Sequence, residues 1–189
     1  MRHRYDTRGI VLARSPLGES NALVTLITPG LGLIRARAQG VRKPGAKLAA
    51  ALTTFAESSL VLVRGKEGWR IAGAVLEENW FSKMGERAAR STAARVSGLL
   101  LRVVARDVQD PNLFSVVTGF FEALTTLPQE TYDAAEVLAA LRVLQALGLD
   151  AGEIPGDAPE FSTPLLSQIQ DARTDYIKRI NHGLTASGL

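Results

Sequence analysis

Leu31 to Leu52, LGLIRARAQGVRKPGAKLAAAL, is the stretch on which the reading of the fold turns. Read as a strand, its first half sends alternate side chains to opposite faces. Arg35, Arg37 and Gln39 then project together, and Ile34, Ala36 and Ala38 face the other way. A basic loop follows, Gly40 to Lys47, with Arg42, Lys43 and Lys47 around Pro44 and Gly45 and no acidic residue among them. A cationic strand face that runs into a cationic loop is a surface suited to a polyanion.

Working outward, four more runs read as strands before Trp80. Arg8–Arg14 and Asn21–Thr28 are separated by the turn-rich SPLGES, and Pro29-Gly30 leads into a third strand over Leu31–Gln39. Ser58–Arg64 and Trp69–Leu76 flank GKEG, a hairpin connection with glycine at both ends. Between the third and fourth strands, Ala46–Phe55 has the Ala and Leu content of a short helix. Three strands, a helical connection and two further strands make up the strand set of an OB-fold, the small Greek-key barrel that often binds oligonucleotides. An SH3-like barrel is the competing arrangement.

After Trp80 the periodicity becomes helical. A helix is expected over Glu86–Val108, with Val96, Leu99, Leu100, Val103 and Val104 on one stripe. Asp110-Pro111-Asn112 starts a second helix to about Leu127, with Leu113, Val116, Val117, Phe120, Phe121 and Leu124 inward. A third helix, about Tyr132–Leu147, stops at Gly148. Asp150–Pro164 is a Gly-, Pro- and acid-rich loop, and a last helix is expected over Leu165–Asn181. The fold class is therefore α+β in two domains: residues 1–80 as a five-stranded OB-fold β-barrel, and residues 81–189 as an all-α helical domain.

Charge follows the same division. Across 189 residues the net charge is +3, but residues 1–80 hold 12 Lys and Arg against 6 Asp and Glu, whereas residues 81–189 hold 10 against 13. There is no cysteine, and His3 and His182 are the only imidazoles, one near each end, so neither a disulfide nor a metal site is expected. No apolar run reaches signal-peptide or bilayer-spanning length, which places the expectation at a cytoplasmic bacterial protein without membrane contact. No nucleophile, phosphate loop or paired-carboxylate arrangement stands out, and catalysis is not expected.

The candidate nucleic-acid contacts are Arg35, Arg37, Gln39, Arg42, Lys43 and Lys47. Arg8, Arg14, Arg64, Lys66 and Arg70, on strand ends and turns, are positioned to ring the same surface. Binding to single strands combines a positive groove with aromatic platforms. Of Tyr5, Phe55, Trp69 and Trp80, Phe55 reads as core, Trp80 as a domain-junction residue and Trp69 as the stacking candidate. Contact with about five phosphates would give a slope of about −3.5 for log affinity against log salt. Arg87, Arg90, Arg95, Arg102 and Arg106 on the first long helix read as a solvated face.

The run from Arg8 to Gly65, RGIVLARSPLGESNALVTLITPGLGLIRARAQGVRKPGAKLAAALTTFAESSLVLVRG, resembles the RecO family of recombinational repair proteins: a first strand with Gly-Ile-Val-Leu, a Gly-Glu-Ser turn, a Thr-rich second strand, a Gly turn, then Gly-Val-Arg before basic residues. LRVLQALGLD at Leu141–Asp150 is similar to the family's helix ending in Leu-Gly, and the tail INHGLTASGL is compatible with its last helix. The resemblance implies an OB-fold joined to a helical domain. It also implies binding of single- and double-stranded DNA, annealing of complementary strands, and help in loading RecA onto strands coated by single-stranded DNA-binding protein (SSB). The partners implied are RecR and the acidic C-terminal tail of SSB, and the place implied is the nucleoid. Arg35, Arg37, Arg42, Lys43 and Lys47 fall on the family's third strand and basic loop. Many members carry a four-cysteine zinc motif after the Leu-Gly helix; here Asp150–Pro164 stands in that place without cysteine. Two other readings remain, a barrel that binds a protein partner as an adaptor and a barrel that binds RNA.

Overall fold

A computed structural model describes residues 3–104 and 110–188. Two compact units emerge, the first running to Ser82 and joined by Asp110 and Pro111, the second holding the other described residues from Lys83 onward.

The first unit is a closed barrel. Its strands are β1 (His3–Leu17), β2 (Asn21–Thr28), β3 (Gly32–Ala38), β4 (Ala56–Gly65) and β5 (Gly68–Asn79). Neighbours follow the order β1-β2-β3-β5-β4, all antiparallel except β3 with β5. Closure depends on β1, which is twice as long as the expected Arg8–Arg14. Its second half pairs with β2 and its first half with β4, with a register shift between Val11 and Ala13. The polar stretch HRYDTR hid that first half, because its side chains are mostly exposed and show no alternation. Inside, Val11, Val24, Leu26, Ile34, Ala36, Leu52, Leu60, Leu62, Trp69 and Ile71 fill the core.

The helix expected over Ala46–Phe55 is corrected to a series of turns and one short 3-10 turn, Ala50–Leu52. Barrel contacts override local helix propensity here. Val41 and Leu52 are drawn into the core, the Ser58 hydroxyl donates to the Ala51 carbonyl at 2.7 Å, and the Phe55 N–H donates to the Val11 carbonyl at 2.8 Å. Phe55 is held at φ 65, a left-handed conformation rare for a bulky residue and incompatible with helix continuation.

The second unit contains α2 (Arg87–Val103), α3 (Pro111–Thr126), α4 (Tyr132–Ala146), α5 (Thr163–Asp171) and α6 (Arg173–Ala186); a four-residue helix, α1 (Trp80–Lys83), precedes them. The apolar stripe of α3 is buried as its spacing predicts, and α4 is buried on nearly every side, as expected of a helix apolar all round. The single last helix expected over Leu165–Asn181 is two helices, broken at Ala172 (φ −103, ψ 17). Neither Gly nor Pro announces that break. Ion pairs from Arg173 to Asp133 and from Arg179 to Asp150 set the course of α6 independently of α5.

Asp150–Pro164 is ordered by a buried cation. Arg142 of α4, 4% exposed, donates to the carbonyls of Pro155, Ala158 and Glu160, and its guanidinium lies 4.9 Å from the Phe161 ring centroid. Gly119 of α3 admits the same loop, since a Cβ there would collide with the Pro159 carbonyl. Among the described residues no helix is long and apolar enough to cross a membrane, and no group of three or more His, Cys, Asp or Glu is placed to hold a metal ion.

Candidate nucleic-acid interface

Strand alternation builds the cationic face of β3. Arg35, Arg37 and Gln39 are exposed while Ile34, Ala36 and Ala38 are buried, because inward Cβ atoms meet the barrel core and outward ones meet water. The parallel pairing of β3 with β5 sets Arg37 beside Arg70. The two-residue turn Lys66-Glu67 lies next to them, closed by Gly68 at φ 97, where a side chain would be strained. A cleft of about 480 Å³ results, lined by Arg37, Gln39, Lys66, Glu67, Trp69 and Arg70 together with Val63 and two glycines. Residues 30 positions apart in the chain thus share one wall.

The basic loop after β3 is pinned by its backbone. Gly40 N–H donates to Asn21 Oδ1 at 2.9 Å, Arg42 N–H donates to the Ser20 carbonyl at 3.0 Å, and Val41 is buried. Arg42 Nη1 donates to the Gly18 carbonyl at 2.7 Å, tying this loop to the β1–β2 turn. Lys43 and Lys47 remain exposed. A shallower recess of about 390 Å³ brings Arg14 and Arg42 together with Thr53 and Thr54. Arg35, Lys43, Lys47 and Arg64 line neither hollow. Among the described residues, Arg35, Lys43, Lys47, Lys66 and Arg70 have no acidic partner.

Three residues depart from their expected setting. Trp69 is 9% exposed and belongs to the core cluster, with Tyr5 edge-on at 5.1 Å and the Arg64 guanidinium 5.1 Å from its ring centroid. It lines the cleft, but the apolar interior claims most of the ring and leaves little of it for a base to stack on. Arg64 is correspondingly engaged as a cover on that indole. Arg8 is paired with the buried Glu57 at 3.7 Å, and Glu57 also accepts from Trp80 Nε1 at 3.1 Å, so Arg8 supplies counter-charge to a buried carboxylate. Trp80 itself packs into the barrel unit.

One residue escaped the sequence reading altogether. Glu67 accepts from Arg37 Nη1 at 2.6 Å across the cleft. Its only signal in sequence was the acid within GKEG, next to a glycine turn whose strand partner was not known.

On the helical unit, a groove of about 520 Å³ is floored by Val96, Leu99, Val137, Ala140, Ile177 and Ile180 and includes Arg95 and Arg173. Both arginines carry bidentate ion pairs, Arg95 to Glu136 at 2.8 and 2.6 Å and Arg173 to Asp133 at 2.5 and 3.0 Å. The Arg173 hydrogen bond, outweighing desolvation, holds the Asp133 carboxyl below its ordinary range. Arg95 is thereby engaged with α4 rather than left on a solvated face, Arg87 and Arg102 are exposed, and Arg106 lies outside the described residues.

A closed five-stranded barrel with this strand order, a cationic β3 face and a basic β4–β5 turn defines an OB-fold protein, with a helical unit following in the chain. Residues 1–78 match the family model described as Recombination protein O N terminal. The barrel is thus a RecO-family N-terminal domain. Among similar proteins, the DNA repair protein RecO of Synechococcus elongatus is 31% identical over 141 residues, covering 75% of this chain and 51% of that protein. That of Heliobacterium modesticaldum is 31% identical over 157 residues, covering 79% and 56%, and that of Dehalococcoides mccartyi strain 195 is 28% identical over 127 residues, covering 67% and 50%. The chain therefore spans about half the length of these curated relatives.

Proposed function

We propose that this protein is a non-enzymatic mediator of DNA repair and homologous recombination that grips the phosphate backbone of single- and double-stranded DNA on the β3 face, the loop after it and the β4–β5 turn. The cleft carries the reading: it gathers Arg37, Lys66 and Arg70 from separate segments on the strand face and loop that OB-folds use for oligonucleotides. The relatives named DNA repair protein RecO support the cellular role. With Trp69 buried, affinity comes from charge neutralisation and is independent of base sequence. Two complementary strands held on one positive surface repel each other less, and annealing follows.

In the same reading the helical unit serves partners, namely RecR and the acidic C-terminal tail of SSB, and so assists RecA loading on SSB-coated strands. The groove between α2, α4 and α6 supports that part through its apolar floor, which suits the apolar side chains of a short tail.

Replacing Arg35, Arg37, Lys43 and Lys47 together with Ala tests the DNA site by fluorescence polarisation with labelled single-stranded DNA. Affinity falls for every sequence, and the salt slope flattens by about 2, at about 0.7 for each unpaired cation lost. Unchanged affinity and slope would reject the site. Salt-insensitive binding by the wild type would favour a protein-binding adaptor, and equal competition by matched RNA a general single-strand binder.

A further inference from the structure

Among the described residues that line the β3–β5 cleft, Glu67 is the single acidic one. It stands at the tip of a two-residue turn and reaches across to β3, where its Oε2 accepts from Arg37 Nη1 at 2.6 Å. The pair has no structural task that explains it. Glu67 is 80% exposed and Arg37 49%, and the strands it bridges are already joined by β3–β5 backbone pairing. An ion pair this exposed adds little to stability. To a guanidinium, however, a carboxylate presents the same acceptor face as a phosphate.

We propose that Glu67 is an internal stand-in for backbone phosphate. It occupies the Arg37 seat in the free protein and holds affinity for nucleic acid below what the cleft's cations would otherwise give. This rests on the nucleic-acid reading above and sharpens it. Arg37 contributes to binding only when a phosphate displaces Glu67, so the intact protein grips through its unpaired cations and keeps one in reserve. A surface tuned in this way releases a strand more readily than a fully cationic one, because the carboxylate recaptures the guanidinium when phosphate leaves.

The test is a double-mutant cycle on the full chain with fluorescein-labelled single-stranded DNA over a series of salt concentrations, using the wild type, Glu67→Gln, Arg37→Ala and the double variant. Glu67→Gln should bind about two- to fivefold tighter at low salt, the range expected on freeing an exposed ion pair. Its salt slope should steepen by about 0.7, one further phosphate. Arg37→Ala should cost more in the Glu67→Gln background than in the wild type, since only there is the guanidinium available beforehand. An equal cost in both backgrounds would reduce Glu67 to one negative charge among others and overturn the proposal, as would unchanged affinity and slope in Glu67→Gln. A wild type without salt-sensitive binding would overturn the nucleic-acid reading itself.

Discussion

Arg142 is the buried cation around which the Asp150–Pro164 loop is built. It sits in an apolar helix whose periodicity says core, and burial pushes its guanidinium down to about 10, against the pull of Glu160 and Asp157. It remains charged at neutral pH because three carbonyls accept from it. Arg142→Ala leaves those carbonyls without their donor and opens a cavity beside Phe161, and a loss of about 3 kcal/mol is expected by urea denaturation. Arg142→Lys should fall between the two, since one ammonium cannot span the three carbonyls that a planar fork reaches. Equal stability of wild type and Arg142→Ala would show that the Asp150–Pro164 loop does not depend on it. Trp69 teaches the complementary lesson. Its place beside a basic turn was legible, but whether its ring faced a ligand or the core depended on the β3–β5 pairing, which no local pattern specifies.

Among elements, strand alternation was the most readable signal. β3 displays the expected polarity because a period of two admits only two faces, and one of them must meet the core. The break between α5 and α6 was invisible, because ion pairs with distant residues make it. That clamp has a pH signature. The Asp133 carboxyl is depressed in the folded state by its hydrogen bond from Arg173, so its contribution is fully present above the ordinary carboxylate pKa and is lost as pH falls through the depressed value. Thermal stability should therefore decline below about pH 4. In Asp133→Asn that decline should be shallower, with lower stability at neutral pH. Parallel acid titrations of the two proteins, followed by circular dichroism at the helical wavelength, check this; coincident curves would remove Asp133 from the account.

For the whole molecule, the charge asymmetry resolves into distinct surfaces within each unit. Among the described residues, the barrel leaves Arg14, Arg35, Lys43, Lys47, Lys66 and Arg70 without acidic partners, whereas the helical unit pairs Arg95, Arg173 and Arg179 with carboxylates of its own. Contact of about five phosphates with these cations corresponds to a slope of about −3.5 for single strands. Titration of labelled single-stranded DNA against salt should return that value, and a slope near zero would mean that the cationic surface is not the binding surface. In the mediator reading, the protein also accelerates annealing of complementary strands coated with SSB, and a rate equal to that of the uncatalysed strands would count against it.

Local periodicity and composition were enough to specify the number and polarity of the barrel strands, the helical second half and the uneven charge. They also placed Arg35, Arg37 and Gln39 on one face, since parity along a strand needs no knowledge of neighbours. Long-range contacts, in contrast, set how long β1 had to be to close the barrel, turned Trp69 inward and split the last helix in two. They alone brought Glu67 against Arg37. The physical reason is the same in each case. Pairing between residues tens of positions apart sets these features, and the free energy of such contacts exceeds the weak preferences that a local stretch of chain can express.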